Sequence, residues 1–218
     1  PDLSLNVLGK KIMEKWNLRL YSTYASTEMQ TAFTECGAGR GGPLQPDLLI
    51  AELLDEQNQP VKAGDPGEVT VTTLGIEGMP LLRYKTGDIC IAYHDKCGCG
   101  RNTMRLSPVI GRKKQMMKFK GTTLFAPALF DLLNGMEDIK DYVAEVYSNE
   151  IGTDEVLLHV WAARNSEETD HRIRAYLQAK LRVTPQIRYI TEEDIRRIQF
   201  SETSRKPVKF IDKRGRNI

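Results

Sequence analysis

Four separated stretches of the chain hold side chains whose types and spacing could handle a charged small molecule. In YASTE, Tyr24, Thr27 and Glu28 set an aromatic face, a hydroxyl and a carboxylate within five residues. Such a ring stacks on a flat base, a hydroxyl donates to phosphate oxygens, and a carboxylate suits a hard cation such as Mg²⁺. In YKTGD, Gly87 permits a tight turn and Asp88 presents a carboxylate just beyond it, a group that accepts two neighbouring hydroxyls at once. GRKKQMMKFKG (111–121) carries Arg112, Lys114 and Lys118 and closes on Gly121, while SRKPVKFID (204–212) carries Lys206 and Lys209. An ammonium group in a dry site stabilises negative charge as it develops on phosphate or carboxylate oxygens. Each stretch also has a plainer reading: a turn, a Gly-Asp turn facing water, a strand with lysines alternating into solvent, and a basic tail.

The cysteines are a separate group: Cys36, Cys90, Cys97 and Cys99. Cys97 and Cys99, in KCGCGR, are too close for an easy mutual disulfide but suit one metal ion or one tight turn. The competing reading is a reduced protein with idle thiols.

The elements that must position these groups follow from periodicity. Leu8, Ile12, Met13 and Trp16 recur at helical spacing and predict an amphipathic helix over 4–16. LRLYSTYA (18–25) reads as a strand running into a turn, and LLIAELLD (48–55) is a short apolar run. QNQPVKAGDPGE (57–68) has the Pro, Gly, Asn and Asp content of a loop, EVTVTT (68–73) alternates as a half-buried strand, and ICIAYHD (89–95) reads as another. After VIGRKKQMMKFKG (109–121) the pattern changes to helix 125–136, with Pro127 tolerable in a first turn, strands 141–149 and 155–163, helix 169–181 and strands 186–191 and 206–212. Ile173, Leu177 and Leu181 recur four apart in the second of those helices. The expected class is α+β (mixed α/β) in two parts, 1–111 and 112–218, with the boundary near Arg112. The first helix has no preceding strand to pack it and the first part shows no obvious complete core, so the chain is expected to lack a front portion.

Composition narrows the function classes. Of 218 residues, 40% are hydrophobic and 28% charged, and 31 Lys+Arg nearly balance 29 Asp+Glu, which is ordinary soluble usage with no field directed at nucleic acid. No apolar run nears the roughly 20 residues that cross a bilayer, and PDLSLNVLGKK lacks the layout of a signal peptide. A cytoplasmic chain with no membrane or nucleic-acid partner is the expectation, and the sequence is silent on oligomeric state.

Taken together, the four stretches resemble the motifs of adenylate-forming enzymes, the superfamily of acyl-CoA synthetases, luciferases and peptide-synthetase adenylation domains. YASTE is similar to their Tyr-Gly-x-Thr-Glu motif, MPLLRYKTGDIC (79–90) to Tyr-Arg-Thr-Gly-Asp, 111–121 to the hinge motif and 204–212 to the C-terminal lysine motif. GEVTVTTLGIEGMPLLRYKTGD followed by CGCGR looks most like the phenylacetate-CoA ligase branch. The resemblance implies the end of a large ATP- and acyl-binding domain followed by a small mobile C-terminal domain. It implies Tyr24 at the adenine, Thr27 at the α-phosphate, Glu28 at Mg²⁺, Asp88 at the ribose and Arg112 at ribose or phosphate. It implies Lys114 as the hinge, Lys118 and Gly121 on the strand and turn used in the thioester step with coenzyme A, and Lys206 as the catalytic lysine. Ala25 and Arg205 stand where relatives usually have Gly. Some relatives in the branch have a Cys and a His upstream of a C-x-C-G element, able to hold one zinc ion. Here Cys36, Cys97 and Cys99 match, Pro43 stands at the His position, and Cys90 or His94 is left as a fourth ligand.

The activity implied is an acid plus ATP giving acyl-AMP, then a CoA thioester and AMP, with a small-molecule carboxylic acid as substrate. The Ser/Thr-rich phosphate loop of relatives is missing, and GAGRGGP (37–43), which lies after YASTE, reads as a flexible loop. The fragment alone is therefore expected not to adenylate. Two other readings compete: adenylation with a non-CoA acceptor, as in coenzyme F390 synthetases and acyl-protein synthetases, and a non-catalytic nucleotide-binding remnant.

Overall fold

The computed structural model describes residues 6–39, 41–119, 122–149, 153–182, 184–200 and 206–215. The chain divides into two compact units, Pro1–Lys114 and Gln115–Ile218. The mixed α/β class expected from periodicity is the one observed.

In the first unit, α1 (Val7–Trp16) begins where the Asn6 side chain accepts the Gly9 N–H at 2.8 Å and ends at Asn17, in left-handed conformation. Its apolar residues Leu8 and Trp16 are 55% and 69% exposed. The strand expected over 18–25 is confined to its end, because Leu18 N–H turns back onto the Met13 carbonyl and residues 18–22 serve as a connection. There β1 (Thr23–Ser26) pairs with β2 (Gln30–Thr34) as an antiparallel hairpin. A six-stranded sheet follows: β3 (Gly42–Pro43), β4 (Leu49–Leu54), β5 (Pro66–Thr73), β6 (Tyr84–Tyr93), β7 (Arg105–Leu106) and β8 (Gly111–Arg112). Its order is β3-β7-β6-β5-β4, with β8 paired to β6.

Two expectations are corrected here. The glycine-rich stretch is not a loop throughout: its last two residues form β3, and Gly41, at φ 77°, leaves only 2.5 Å between an added Cβ and the Leu106 carbonyl oxygen. That approach requires glycine. The first unit also has its own core, in which Met29 and Phe33 from the hairpin region meet Leu49, Leu53, Val69, Val71, Cys90 and Leu106. Alternating residues of β4, β5 and β6 supply one continuous apolar face, as period-two strands do.

The second unit opens with a hairpin, β9 (Met116–Phe119) and β10 (Thr122–Phe125), leading into α2 (Ala126–Gly135) with a proline in its first turn. Then come β11 (Ile139–Ser148), β12 (Asp154–Ala162), α3 (Glu167–Leu181), β13 (Gln186–Tyr189), α4 (Glu192–Gln199) and β14 (Phe210–Asp212). The sheet order is β13-β12-β11-β14, with β11 and β12 antiparallel and the outer strands parallel to their neighbours. Leu129 and Leu133 of α2 and Ile173 and Leu177 of α3 pack against Tyr142, Ala144, Val146, Leu158 and Val160. Burying each such side chain contributes about 1.5–3 kcal/mol.

The strand expected over 206–212 shrinks to β14: Val208 N–H bonds to the Gln199 carbonyl, and backbone bonding to β11 begins only at the Lys209 carbonyl, which accepts the Ala144 N–H at 2.9 Å. The helix α4 was not expected. Its start is nonetheless legible: Thr191 accepts the Asp194 N–H, three acids occupy the first turn, and Arg196 and Arg197 occupy the last.

Candidate functional site

Three of the residues singled out in the sequence converge in the first unit. Across the β6–β8 ladder Asp88 faces Arg112, and the Arg112 Nε–H donates to Asp88 Oδ1 at 3.1 Å. From the end of the hairpin, the Tyr24 hydroxyl donates to Asp88 Oδ2 at 2.9 Å. Its ring leans on Phe33, with centroids 6.2 Å apart. Burial, reinforced by the Asp88 carboxylate, pushes the Tyr24 phenol well above its ordinary value, which favours its neutral, donating form. Asp88 is 15% exposed and Arg112 63%, which makes the carboxylate a sheltered acceptor beside an exposed cation.

The local chain path corrects the expectation of a tight turn at Gly87. Tyr84–Tyr93 is one strand, and its pairing with β5 shifts register between Glu68 and Thr70. Residues 86–88 therefore form a bulge opposite Val69, and Gly87 takes the positive φ, 78°, that the bulge needs. Bulges re-aim a side chain; this one aims Asp88 at Tyr24.

Thr27 and Glu28 occupy the exposed turn between β1 and β2, directly after the strand that carries Tyr24. The Ser26 hydroxyl and the residue's own backbone N–H hold the Glu28 carboxyl below its usual value, so it presents a charged oxygen to solvent. Two residues that sequence reasoning missed support the site. The Thr86 hydroxyl bonds within the bulge, and Glu68, only 6% exposed, faces Lys113 at 3.1 Å and Lys85 at 3.8 Å. The alternation of EVTVTT marked Glu68 as a strand residue, but nothing in that pattern signalled a buried charge.

The cysteine group is likewise assembled in the first unit. Cys36, Cys97 and Cys99 have sulfurs all within 4.8 Å of one another, and the Cys36 and Cys97 sulfurs are 3.4 Å apart. Cys97 N–H bonds to the Arg101 carbonyl and Gly100 N–H to the Cys97 carbonyl, folding 97–101 into a knuckle. The Arg101 backbone N–H, with Cys97, lowers the exposed Cys99 thiol to about 7. Burial raises the Cys36 thiol, while the Ala38 backbone N–H opposes that rise. Amide donors aimed at sulfur favour thiolates, the form that binds metal, so the donor set fits a soft cation. Among the described residues neither Cys90 nor His94 joins this group. Cys90 lies in the apolar core, its thiol pushed up to about 12 by burial and by Asp88.

In the second unit the predicted residues are spread out. The Lys118 N–H donates to Asp154 Oδ2 at 2.6 Å, and its side chain is exposed. Gly121 and Arg205 lie outside the described residues. Lys206 is exposed, whereas Lys209 pairs with Asp141 at 3.0 Å and sits 4.4 Å over the Tyr142 ring. Lys209 is thereby tied to the sheet as a packing residue. Lys114 is the last residue of the first unit, in a 3₁₀ turn spanning Lys113–Gln115.

No family profile matches the chain. It is 31% identical over 157 residues to the phenylacetate-coenzyme A ligase of Thermus thermophilus, covering 70% of this chain and 35% of that one. The same enzyme of Aromatoleum evansii is 30% identical over 101 residues, covering 45% of this chain and 22% of that one. Among solved structures, a 2-hydroxyisobutyryl-CoA ligase in its postadenylation state gives a TM-score of 0.80 at 21% identity, covering 97% of this chain and 46% of that one. The anthranilate CoA ligase AuaEII gives 0.63 at 16% identity, covering 85% and 38%. This chain thus spans less than half the length of these relatives. By sequence it is a homologue of the phenylacetate-coenzyme A ligases, and over the part that it spans it has the fold of adenylate-forming CoA ligases.

Proposed function

We propose that this chain is the C-terminal portion of an AMP-forming acid–CoA ligase, comprising the nucleotide-binding end of a large domain (1–111) and a small mobile domain (112–218). The convergence of Tyr24, Asp88 and Arg112 carries this reading. A sheltered carboxylate with a neutral phenol at one oxygen and a guanidinium at the other suits a ribose whose two hydroxyls donate to it. The Tyr24 ring would then lie under the adenine, and Thr27 in the following turn would meet the α-phosphate. Glu28 would hold Mg²⁺, since such sites use one or two carboxylates together with substrate phosphates. When bound, the ion would neutralise phosphate charge and orient the leaving pyrophosphate.

Lys206 is the proposed catalytic cation, meeting the α-phosphate and the incoming carboxylate. At about 4 Å and an effective dielectric of about 20, a unit charge contributes about 4 kcal/mol. If that stabilisation is specific to the transition state, it is worth roughly 10³-fold in rate. Lys114 is proposed as the hinge about which the small domain turns between adenylation and thiol attack, and Lys118 and Gly121 as the strand and turn then facing coenzyme A. The substrate is a small carboxylic acid, and the setting is cytoplasmic. Cys36, Cys97 and Cys99 would hold a structural zinc ion, with the fourth ligand from outside this trio.

The test is acid-dependent ATP–pyrophosphate exchange in a polypeptide joining this chain to a front portion with a phosphate loop. Exchange with one or more acids, slowed about 10³-fold in Lys206→Ala, is expected. Exchange unaffected by that substitution would remove Lys206 from the mechanism. Acyl-AMP formation without thioester would point to a different acceptor, and no exchange with any acid would point to a non-catalytic remnant.

A further inference from the structure

The bulge that presents Asp88 is held by a residue with no assigned part in binding. Thr86 Oγ1 donates to the Val69 carbonyl at 2.9 Å, the backbone group that the register shift leaves opposite the bulge. The same oxygen accepts the Asp88 N–H at 3.1 Å and lies 3.2 Å from the Tyr24 hydroxyl oxygen. The Tyr24 proton, shared with Asp88 Oδ2 at 2.9 Å, is thus in a three-centre arrangement. A threonine hydroxyl has one proton and two lone pairs, and here all three are used.

Gly87 adds no tie of this kind: it has no side chain, and an added Cβ there would find no heavy atom within 4 Å, so packing at Gly87 does not fix the segment. The Asp88 backbone is tied through its N–H to Thr86 and through the ladder to Arg112. Removing the hydroxyl frees the first tie and leaves the Val69 carbonyl without this partner.

We infer that Thr86 is a positioning residue that fixes Asp88 and Tyr24 as one acceptor–donor pair and thereby sets the preference of the site for ribose over 2′-deoxyribose. The inference rests on the reading of Asp88 as the ribose acceptor. A 2′-hydroxyl donates usefully only if the carboxylate is already aimed, and a carboxylate swinging with a loosened bulge would gain little from it.

The experiment compares AMP and 2′-deoxy-AMP binding to this chain by NMR titration, in the wild type, Thr86→Val and Thr86→Ser. The wild type should favour AMP, Thr86→Ser should keep the preference, and Thr86→Val should reduce it about tenfold, the worth of one hydrogen bond to a charged group. If valine is not tolerated, Thr86→Cys, of similar size but a weak hydrogen-bonding group, reads the same ratio. A folded Thr86→Val that keeps the preference overturns the inference and leaves the ribose reading intact. A wild type with no preference overturns the ribose reading. In that case the Tyr24 ring resonances decide the positioning role: they should move in Thr86→Val and stay in Thr86→Ser, and unmoved signals in both would sink it.

Discussion

Asp88 has both carboxylate oxygens engaged before any ligand arrives, one by Arg112 and one by Tyr24. Asp88→Asn keeps the shape, replaces one oxygen with a donor and removes the charge. AMP affinity should then fall about tenfold or more, as expected for a lost hydrogen bond to a charged group, with titration of this chain as the check. Tyr24→Phe should cost less, because it removes one neutral donor and leaves the carboxylate charged. At the cysteines, Cys36→Ser should release zinc from protein that binds it stoichiometrically, and metal analysis of wild type and variant decides the matter. Zinc-free wild type purified without chelator would dismiss the site. The convergence of Cys36 with Cys97 was suggested only by resemblance. The two lie 61 positions apart in the chain, and no local pattern predicts that closure.

At the scale of elements, the bulge in β6 gives a clean substitution. Gly87→Ala meets no neighbouring atom, so its cost is the left-handed backbone alone, about 1–2 kcal/mol. Chemical denaturation should report that loss. In α3, the hydrogen bond from Arg174 holds the Asp170 carboxyl below its usual value. A depressed carboxylate stabilises the fold above its unfolded value, near pH 4, and that contribution is lost as pH falls through the lower folded value. Asp170→Asn should therefore lower stability near neutrality and flatten the acid limb of the stability profile. An unchanged limb would show that the Arg174 contact contributes nothing.

Most strands and α2 and α3 were legible, because period-two and period-3.6 patterns survive in the apolar core residues of β5, β11 and β12 and in Ile173 and Leu177. The signals that failed were short ones. The helix α4 has capping chemistry but only eight residues, and YKTGD reads as a turn until its pairing with β5 is known. Glu68 was invisible as a buried charge because its two lysines come from β6 and from the segment after β8.

On the scale of the whole molecule, each unit has its own apolar core. The second is built from the four-stranded sheet, the β9–β10 hairpin and their helices, and residues 115–218 expressed alone should unfold in a single cooperative transition. A sloping, non-cooperative denaturation curve would show that this core depends on the first unit. The first unit's final stretch is moored twice to its own sheet: Arg112 by the β8 ladder and its ion pair with Asp88, Lys113 by its ion pair with the sheltered Glu68. Breaking the second mooring leaves the desolvated Glu68 carboxylate with Lys85 alone, at 3.8 Å, whereas Lys113, 45% exposed, can turn toward water. A chain pinned this way resists twisting up to residue 113. On the proposed reading, the backbone angles that follow would absorb a turn of the small domain, and the Asp88 carboxylate would keep its aim at Tyr24.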